Sequence, residues 1–214
     1  MQVDAQKDIR FFCGTSGSGK SHAMKATIEK EDRVLIFDPE GEYSATGRFT
    51  QAEPFTSAAA FAKAAEQRRA GRFRLAFEGE GPAAFDFFCA VAWKLATDTQ
   101  GGVTVVVDEL AGVEKTNGKA QGLWHTILTR GRKHLIKVRA GAQSPTEVSK
   151  TIMRQRSHLW VGHMTRAADW QYIAAEIPVT VEQLQGLRPA PYFDCVMHKQ
   201  GEAPVFFKPD KPQR

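Results

Sequence analysis

The sequence predicts an α/β fold: a mainly parallel sheet with helices on both faces, ending in a C-terminal β-hairpin. Three observations carry that expectation. Apolar, β-branched or aromatic runs of strand length recur along the chain. Segments with helical spacing separate them, as the crossovers of a parallel sheet require. Near the end the alternation gives way to two strand-like runs joined by a short turn.

Taken in order, Ile9–Cys13 reads as the first strand and runs into a glycine-rich loop, after which Lys20–Glu29 reads as a helix. Val34–Phe37 is a strand and Ser57–Ala70 a helix. Phe73–Phe77 leads to a helix over Phe85–Thr97, whose Phe85, Phe88, Ala92 and Leu95 fall on one face and so belong to the core. Val103–Val107 is apolar enough to be a strand buried on both faces. Gln121–Arg132 is a helix and Leu135–Ala142 a strand. Ser144–Gln155 reads as a helix because Ser144, with Glu147 three residues on, has the form of a capping box. Leu159–His163 and the helix Arg166–Glu176 complete the alternation. Tyr192–His198 and Ala203–Phe207 flank Lys199-Gln200-Gly201-Glu202 as a hairpin, and the tail 209–214 is expected to be loose. With no internal repeat and no low-complexity linker, residues 1–214 are expected to form a single domain.

The composition narrows the function classes. The 214 residues are 42% hydrophobic and 25% charged, which suits one sizeable core and excludes a disordered chain. No apolar run approaches the roughly 18–20 residues of a spanning helix, and MQVDAQKDIR has no signal-like apolar region, so an intracellular soluble protein is expected. Cys13, Cys89 and Cys195 lie far apart with no CxxC spacing, as free buried thiols would. Charge is uneven. Residues 1–118 carry 14 Lys and Arg against 17 Asp and Glu, whereas residues 119–172 carry 10 against 2. Such a basic third is either a solvated face or the footprint of a polyanion.

The glycine-rich loop carries the chemistry. Gly14, Thr15, Ser16, Gly17, Ser18, Gly19, Lys20 and Ser21 fit GxxxxGK[ST] at every position, between a strand and a helix that continues through His22. Glycines there let the backbone wrap with its N–H groups inward, at a helix N-terminus that favours anions. Lys20 can then reach the β- and γ-phosphates of ATP, and the Ser21 hydroxyl can ligate Mg²⁺. The strand Val103–Val107 ends in Asp108-Glu109. Alone, such an ending is as often a bare strand end. Behind a phosphate loop it reads as Asp108 holding magnesium and Glu109 activating water.

Further motifs suggest a family. Phe37-Asp38-Pro39-Glu40-Gly41-Glu42-Tyr43 resembles the D-P-x-G-E-Y signature of HerA-type ATPases. Leu135–Ala142 ends in Gln143-Ser144-Pro145, similar to the A-T-Q-R-P run of FtsK and HerA motors, and follows Thr129-Arg130-Gly131-Arg132-Lys133-His134, similar to their G-R-x-x-G run. On these residues the chain resembles the FtsK–HerA superfamily over roughly residues 9–210. The resemblance implies a RecA-like P-loop NTPase of the additional-strand, catalytic-glutamate type, with one strand inserted between the carboxylate strand and the phosphate-loop strand. It also implies a ring, usually a hexamer, that threads duplex DNA and hydrolyses ATP at subunit boundaries. Gln143 would sense the γ-phosphate. An arginine from the neighbouring subunit would stabilise the transition state; Arg154 and Arg156 match the family position best, with Arg130 and Arg132 as alternatives.

Two departures refine this reading. Ser144 stands where the family has Arg, and only about a dozen residues precede the phosphate loop. The compact form resembles the genome-packaging ATPases of membrane-containing icosahedral viruses. That implies a packaging motor acting in the host cytoplasm or at the virion's packaging vertex, with capsid vertex or portal proteins as partners. Some basic residues of 119–172 would then line a DNA pore, and Lys115–Lys119 is a pore loop or a plain solvated one. Trp93, Trp124, Trp160 and Trp170 read as core or subunit interface. The alternatives are a phage-assembly, secretion or plasmid-transfer ATPase of the same superfamily, a small-molecule kinase, and a non-translocating assembly component that only binds ATP.

Overall fold

The computed structural model describes residues 7–44, 52–99 and 101–211. Among the described residues nine strands form one sheet: β1 (Ile9–Cys13), β2 (Arg33–Phe37), β3 (Glu53–Phe55), β4 (Phe73–Phe77), β5 (Val103–Val107), β6 (Ile136–Ala142), β7 (His158–Val161), β8 (Cys195–Lys199) and β9 (Val205–Phe207). Their order across the sheet is β3-β4-β2-β5-β6-β1-β7-β8-β9. The seven strands from β3 to β7 run parallel, whereas β7–β8 and β8–β9 are antiparallel, the expected terminal hairpin. Strand β6 lies between β5 and β1, which is the inserted strand that the motif resemblance implies.

Helices α1 (Lys20–Ile28), α2 (Ala58–Gln67), α3 (Gly81–Asp98), α4 (Gly122–Arg130), α5 (Lys150–Gln155), α6 (Ala167–Glu176) and α7 (Val181–Gln185) cover both faces, unequally. Successive strand residues point to opposite faces. Phe11, Cys13, Leu35 and Phe37 therefore join one core cluster with Phe61, Phe88, Ile127, Ile152 and Ile173 of the later helices. Phe12, Val34 and Ile36 join a smaller cluster with Met24 and Ile28 of α1. Phe85, Phe88, Ala92 and Leu95 of α3 are buried, as their spacing requires. All three cysteines are free and buried. Trp124 and Trp160 are buried, and Trp93 and Trp170 pack partly buried against the core.

The capping-box helix at Ser144 does not form. Pro145 follows, and the Ser144 hydroxyl donates to Asp169 instead, so α5 starts at Lys150. The helix expected through Arg132 ends at Arg130 and passes into a 3-10 turn over Gly131–His134. Strand β3 and helix α7 are additions to the sequence reading. Of the expected loose tail, Pro209 is held through its carbonyl by Arg188 (2.9 Å), and residues 212–214 lie outside the described residues.

The basic segment 119–172 is partly neutralised inside the fold. Arg139 is fully buried, paired with Asp8 (2.7 Å) and Glu31 (3.5 Å). Lys137 pairs with Glu31, Arg156 with Glu176, and Arg166 with Glu147.

Candidate active site

All the sequence-predicted phosphate and acidic residues lie at one edge of the sheet, where the parallel strands end. Strand β1 runs into the phosphate loop, which its two neighbours grip. Gly14 N–H donates to the Ala142 carbonyl of β6 (3.2 Å), and Thr15 donates through both its amide and its hydroxyl to the His163 carbonyl after β7 (2.9 and 3.1 Å). A Cβ at Gly14 would stand 2.7 Å from Ser18 Oγ and 3.3 Å from Gly162 Cα, so no side chain fits between loop and β7. Gly17 and Gly19 both have left-handed φ (75° and 91°), which glycine adopts without steric cost, and the Ser18 amide between them closes the turn on the Thr15 carbonyl (3.1 Å). Gly19 caps α1, and the first amides of a helix have no intrahelical acceptor. Ser16, Ser21 and His22 line the same cavity of about 560 Å³ as Thr15, Gly17, Gly19 and Lys20, while Ser18 is buried beneath the loop.

Across the cavity stand Asp108 and Glu109, at the end of β5. Lys20 Nζ donates to the Asp108 carbonyl (3.0 Å) and to Glu109 Oε2 (3.2 Å), and lies 3.8 Å from Asp108 Oδ1. Ser21 Oγ donates to Asp108 Oδ2 (2.9 Å). The main-chain amides of Ala111 (3.3 Å) and Gln143 (3.2 Å) donate to the Glu109 carboxylate and fix its direction. The Gln143 side chain is exposed and lines the cavity. The segment after it is anchored by Asp169, which is buried and accepts from Ser144 Oγ (2.7 Å) and Thr146 Oγ1 (2.8 Å).

The donor set fits Mg²⁺. Asp108 Oδ1 is buried with no hydrogen-bond partner among the described residues, beside a serine hydroxyl that already meets the other carboxylate oxygen. No group of three or more His, Cys, Asp or Glu is arranged to hold a metal among the described residues. The Asp108 carboxylate and the Ser21 hydroxyl suit a magnesium ion, which one or two protein oxygens commonly bind together with phosphate oxygens and water.

Sequence reasoning missed several contributors. Gly141 of β6 is one: a Cβ there would lie 2.3 Å from the Asp108 carbonyl oxygen and 2.9 Å from Met24 Sδ, so the turn after β5 can cross β6 only over a glycine. Asp38 of the D-P-x-G-E-Y run is buried, and its carboxylate accepts from the amides of Glu42 (2.9 Å) and Tyr43 (2.8 Å), closing a turn whose Gly41 has φ 67°. Burial raises the Asp38 carboxyl above its ordinary range, against those two hydrogen bonds. This turn brings Pro39, Glu40 and Glu42 to the cavity wall. Phe193, on the opposite side, was not anticipated at all.

The four arginines considered for a trans role lie elsewhere. Arg130 ends α4 and Arg132 sits in the 3-10 turn before β6, while Arg154 is in α5 and Arg156 directly follows it, ahead of β7. All four are at the opening ends of parallel strands, a strand's length (roughly 15 Å) from the phosphate loop. Arg156 is further committed, to the Glu176 side chain (3.1 Å), the Glu176 carbonyl (3.0 Å) and the Met153 carbonyl. Arg130, Arg132 and Arg154 are exposed. In the loop after β5, Lys115 pairs with Asp86 (2.6 Å), and Asn117, Gly118 and Lys119 are exposed.

This architecture has solved counterparts. The genome packaging NTPase B204 of Sulfolobus turreted icosahedral virus 2, in complex with AMPPCP, superposes with TM-score 0.72 at 15% identity, over 95% of this chain and 98% of that one. EssC (ATPases 2 and 3) of Geobacillus thermodenitrificans gives TM-score 0.52 at 11% identity, over 95% of this chain and 40% of that one. By sequence, Protein P9 of Pseudoalteromonas phage PM2 is a homologue, 28% identical over 180 residues, which is 83% of this chain and 78% of P9. No protein-family model matches the chain. The chain thus has the mixed α/β fold of P-loop ATPases, and the resemblance read from the motifs stands.

Proposed function

We propose that this chain hydrolyses ATP and couples the cycle to translocation of duplex DNA, as the packaging motor of a virus. The observation that carries the ATPase reading is Glu109. It is a carboxylate pinned by two main-chain amides, facing the phosphate loop from the end of β5, with Lys20 and the Ser21–Asp108 pair beside it. The likeness to B204 and the homology to a phage protein support the viral assignment.

In this reading the loop amides and Lys20 hold the β- and γ-phosphates. Mg²⁺ held by Ser21 and Asp108 would neutralise charge on the phosphate oxygens. Glu109 orients the attacking water and takes its proton at a carboxylate oxygen. Gln143, whose amide already touches Glu109, carries an exposed side chain into the same space and reports the γ-phosphate. The reading also includes a homo-oligomeric ring, in which an exposed arginine (Arg154 first, Arg130 or Arg132 otherwise) meets a neighbour's nucleotide. Exposed basic residues such as Lys119 contact DNA phosphates without reading sequence. Partners at a capsid vertex belong to the same proposal.

The test is steady-state ATP turnover with duplex DNA, single-stranded DNA or RNA across a salt series. Duplex DNA should stimulate turnover, with stimulation falling as salt rises. Turnover indifferent to duplex DNA at low salt would overturn the translocase reading while leaving the ATPase intact. Preference for RNA would redirect it to another polynucleotide.

A further inference from the structure

The acidic pair lies on the β5–β6 side of the phosphate loop, so a bound triphosphate points its γ end that way. Its nucleoside end must then leave toward the other side of β1, where β7 and β8 lie. There, among the described residues, Phe193 presents its aromatic ring to the cavity, just before β8.

Phe193 is held in an unusual conformation. Its φ is 56°, in the left-handed region that bulky residues avoid. Its ring lies 3.2 Å from where a Cβ of Gly19 would stand, so it packs flush on the phosphate loop and remains half-buried, with the rest of the ring facing the cavity. The segment around it is clamped. Asp194, fully buried, accepts from Arg188 Nε (2.8 Å), Arg188 Nη2 (3.0 Å) and the Arg188 amide (3.0 Å). The Arg188 guanidinium lies 3.9 Å over the Tyr192 ring, and the Ala190 amide donates to the Gly17 carbonyl (3.2 Å), tying this strap to the loop itself. Strained backbone kept in place by such surroundings concentrates where a side chain must be presented.

We propose that Phe193 is the platform on which the nucleobase stacks, so that this site takes purine and pyrimidine triphosphates alike, by the base's face and not its edge. The proposal rests on the nucleotide reading above and deepens it. A flat ring offers no donors or acceptors, whereas every base has a π-face. Selection therefore falls on the triphosphate, and the base contributes affinity with little discrimination.

The test compares binding of ATP, GTP, CTP and inorganic tripolyphosphate, each with magnesium, to the full chain by calorimetry. Phe193→Leu keeps an apolar side chain against Gly19 but removes the π-face; Phe193→Trp restores one. In Phe193→Leu the Kd of each nucleotide should rise by about 5- to 150-fold, the size of a lost base–aromatic stack, while tripolyphosphate binding stays unchanged. Phe193→Trp should bind nucleotides like the native chain. Equal loss for tripolyphosphate and ATP would overturn the proposal, because Phe193 would then be acting only through the shape of the loop at Gly19. Unchanged nucleotide affinity in Phe193→Leu overturns it too, as does a native site that binds ATP but rejects GTP and CTP. A native chain that binds neither tripolyphosphate nor ATP removes the nucleotide reading itself, and the platform with it.

Discussion

Glu109→Gln separates chemistry from binding at this site. The substitution keeps the side chain's length and one carbonyl oxygen, in the place of the Oε1 that accepts from both the Ala111 and Gln143 amides, but removes its charge and basicity. A positioned general base contributes about 10²–10⁴ in rate, so kcat should fall by roughly 10³. Binding should move the other way. Lys20 now sits 3.2 Å from Glu109 and must leave it to meet phosphate oxygens. The two side chains are 10% and 32% exposed, and a pair of that kind is worth about 1 kcal/mol net. Freeing Lys20 in advance should therefore tighten ATP about fivefold. Phosphate release under saturating ATP measures the first quantity and calorimetry the second. A kcat within tenfold of native would refute Glu109 as the base. Loss of ATP binding together with turnover would make it a structural support of the loop.

Gly141→Ala places a methyl group 2.3 Å from the Asp108 carbonyl oxygen, which is backbone and cannot swing aside. Stability in urea should drop by about 1–3 kcal/mol, the usual range of overpacking, and turnover should fall as Asp108 is displaced; a native-like variant would place slack where none is visible. Arg139→Met strips Asp8 and Glu31 of a fully buried partner and should cost about 3–5 kcal/mol in the same assay. Burial pushes the Asp8 carboxyl up, but the attraction and hydrogen bond of Arg139 outweigh it and hold the group below its ordinary range. Its stabilisation is thus complete above the ordinary Asp value, about 3.9, and is lost as pH falls through the lower folded value. Arg139→Met should flatten that acid limb, and an unchanged limb would break the assignment. Burial raises all three thiols, Cys195 to about 11, so native protein at pH 8 should resist a thiol reagent and label at Cys13, Cys89 and Cys195 only after unfolding.

The sheet was legible because its strands are short runs dominated by apolar, β-branched or aromatic residues, broken in Val103–Val107 only by Thr104 and in Phe73–Phe77 only by Arg74. Val103–Val107 and Phe73–Phe77 admit little else, and both form as read. The phosphate loop was legible for a different reason: its backbone demands glycine at fixed places, and sequence records that demand directly. What stayed hidden depends on tertiary partners. The Ser144–Glu147 spacing is that of a capping box, yet Asp169, 25 residues on, takes the hydroxyl. Strand β3 is three residues with Pro54 in the middle, tolerable only at a sheet edge, and no periodicity marks so short a run. Helix α7 did carry a signal, the Thr180–Gln183 capping box, and both of its hydrogen bonds are formed. Gly141 and Phe193 matter because of what crosses over them in space, and an isolated glycine or phenylalanine announces nothing of the kind.

The placement of the arginines follows from the topology and not from their local sequence. In a parallel sheet every strand delivers its following loop to one edge, and every helix carries the chain back to the other. Gly14–Ser21, Asp38–Tyr43, Asp108-Glu109 and Gln143 all follow strands, so they converge. Arg130, Arg132, Arg154 and Arg156 all end helices or precede strands, so they gather at the far edge, whatever residues surround them. No rotamer of an arginine spans the roughly 15 Å of an intervening strand. If one of these four meets a γ-phosphate, that nucleotide belongs to another copy of the chain. Arg156, held by Glu176 and Met153, would have to break three hydrogen bonds to do so, whereas Arg154, Arg130 and Arg132 are exposed.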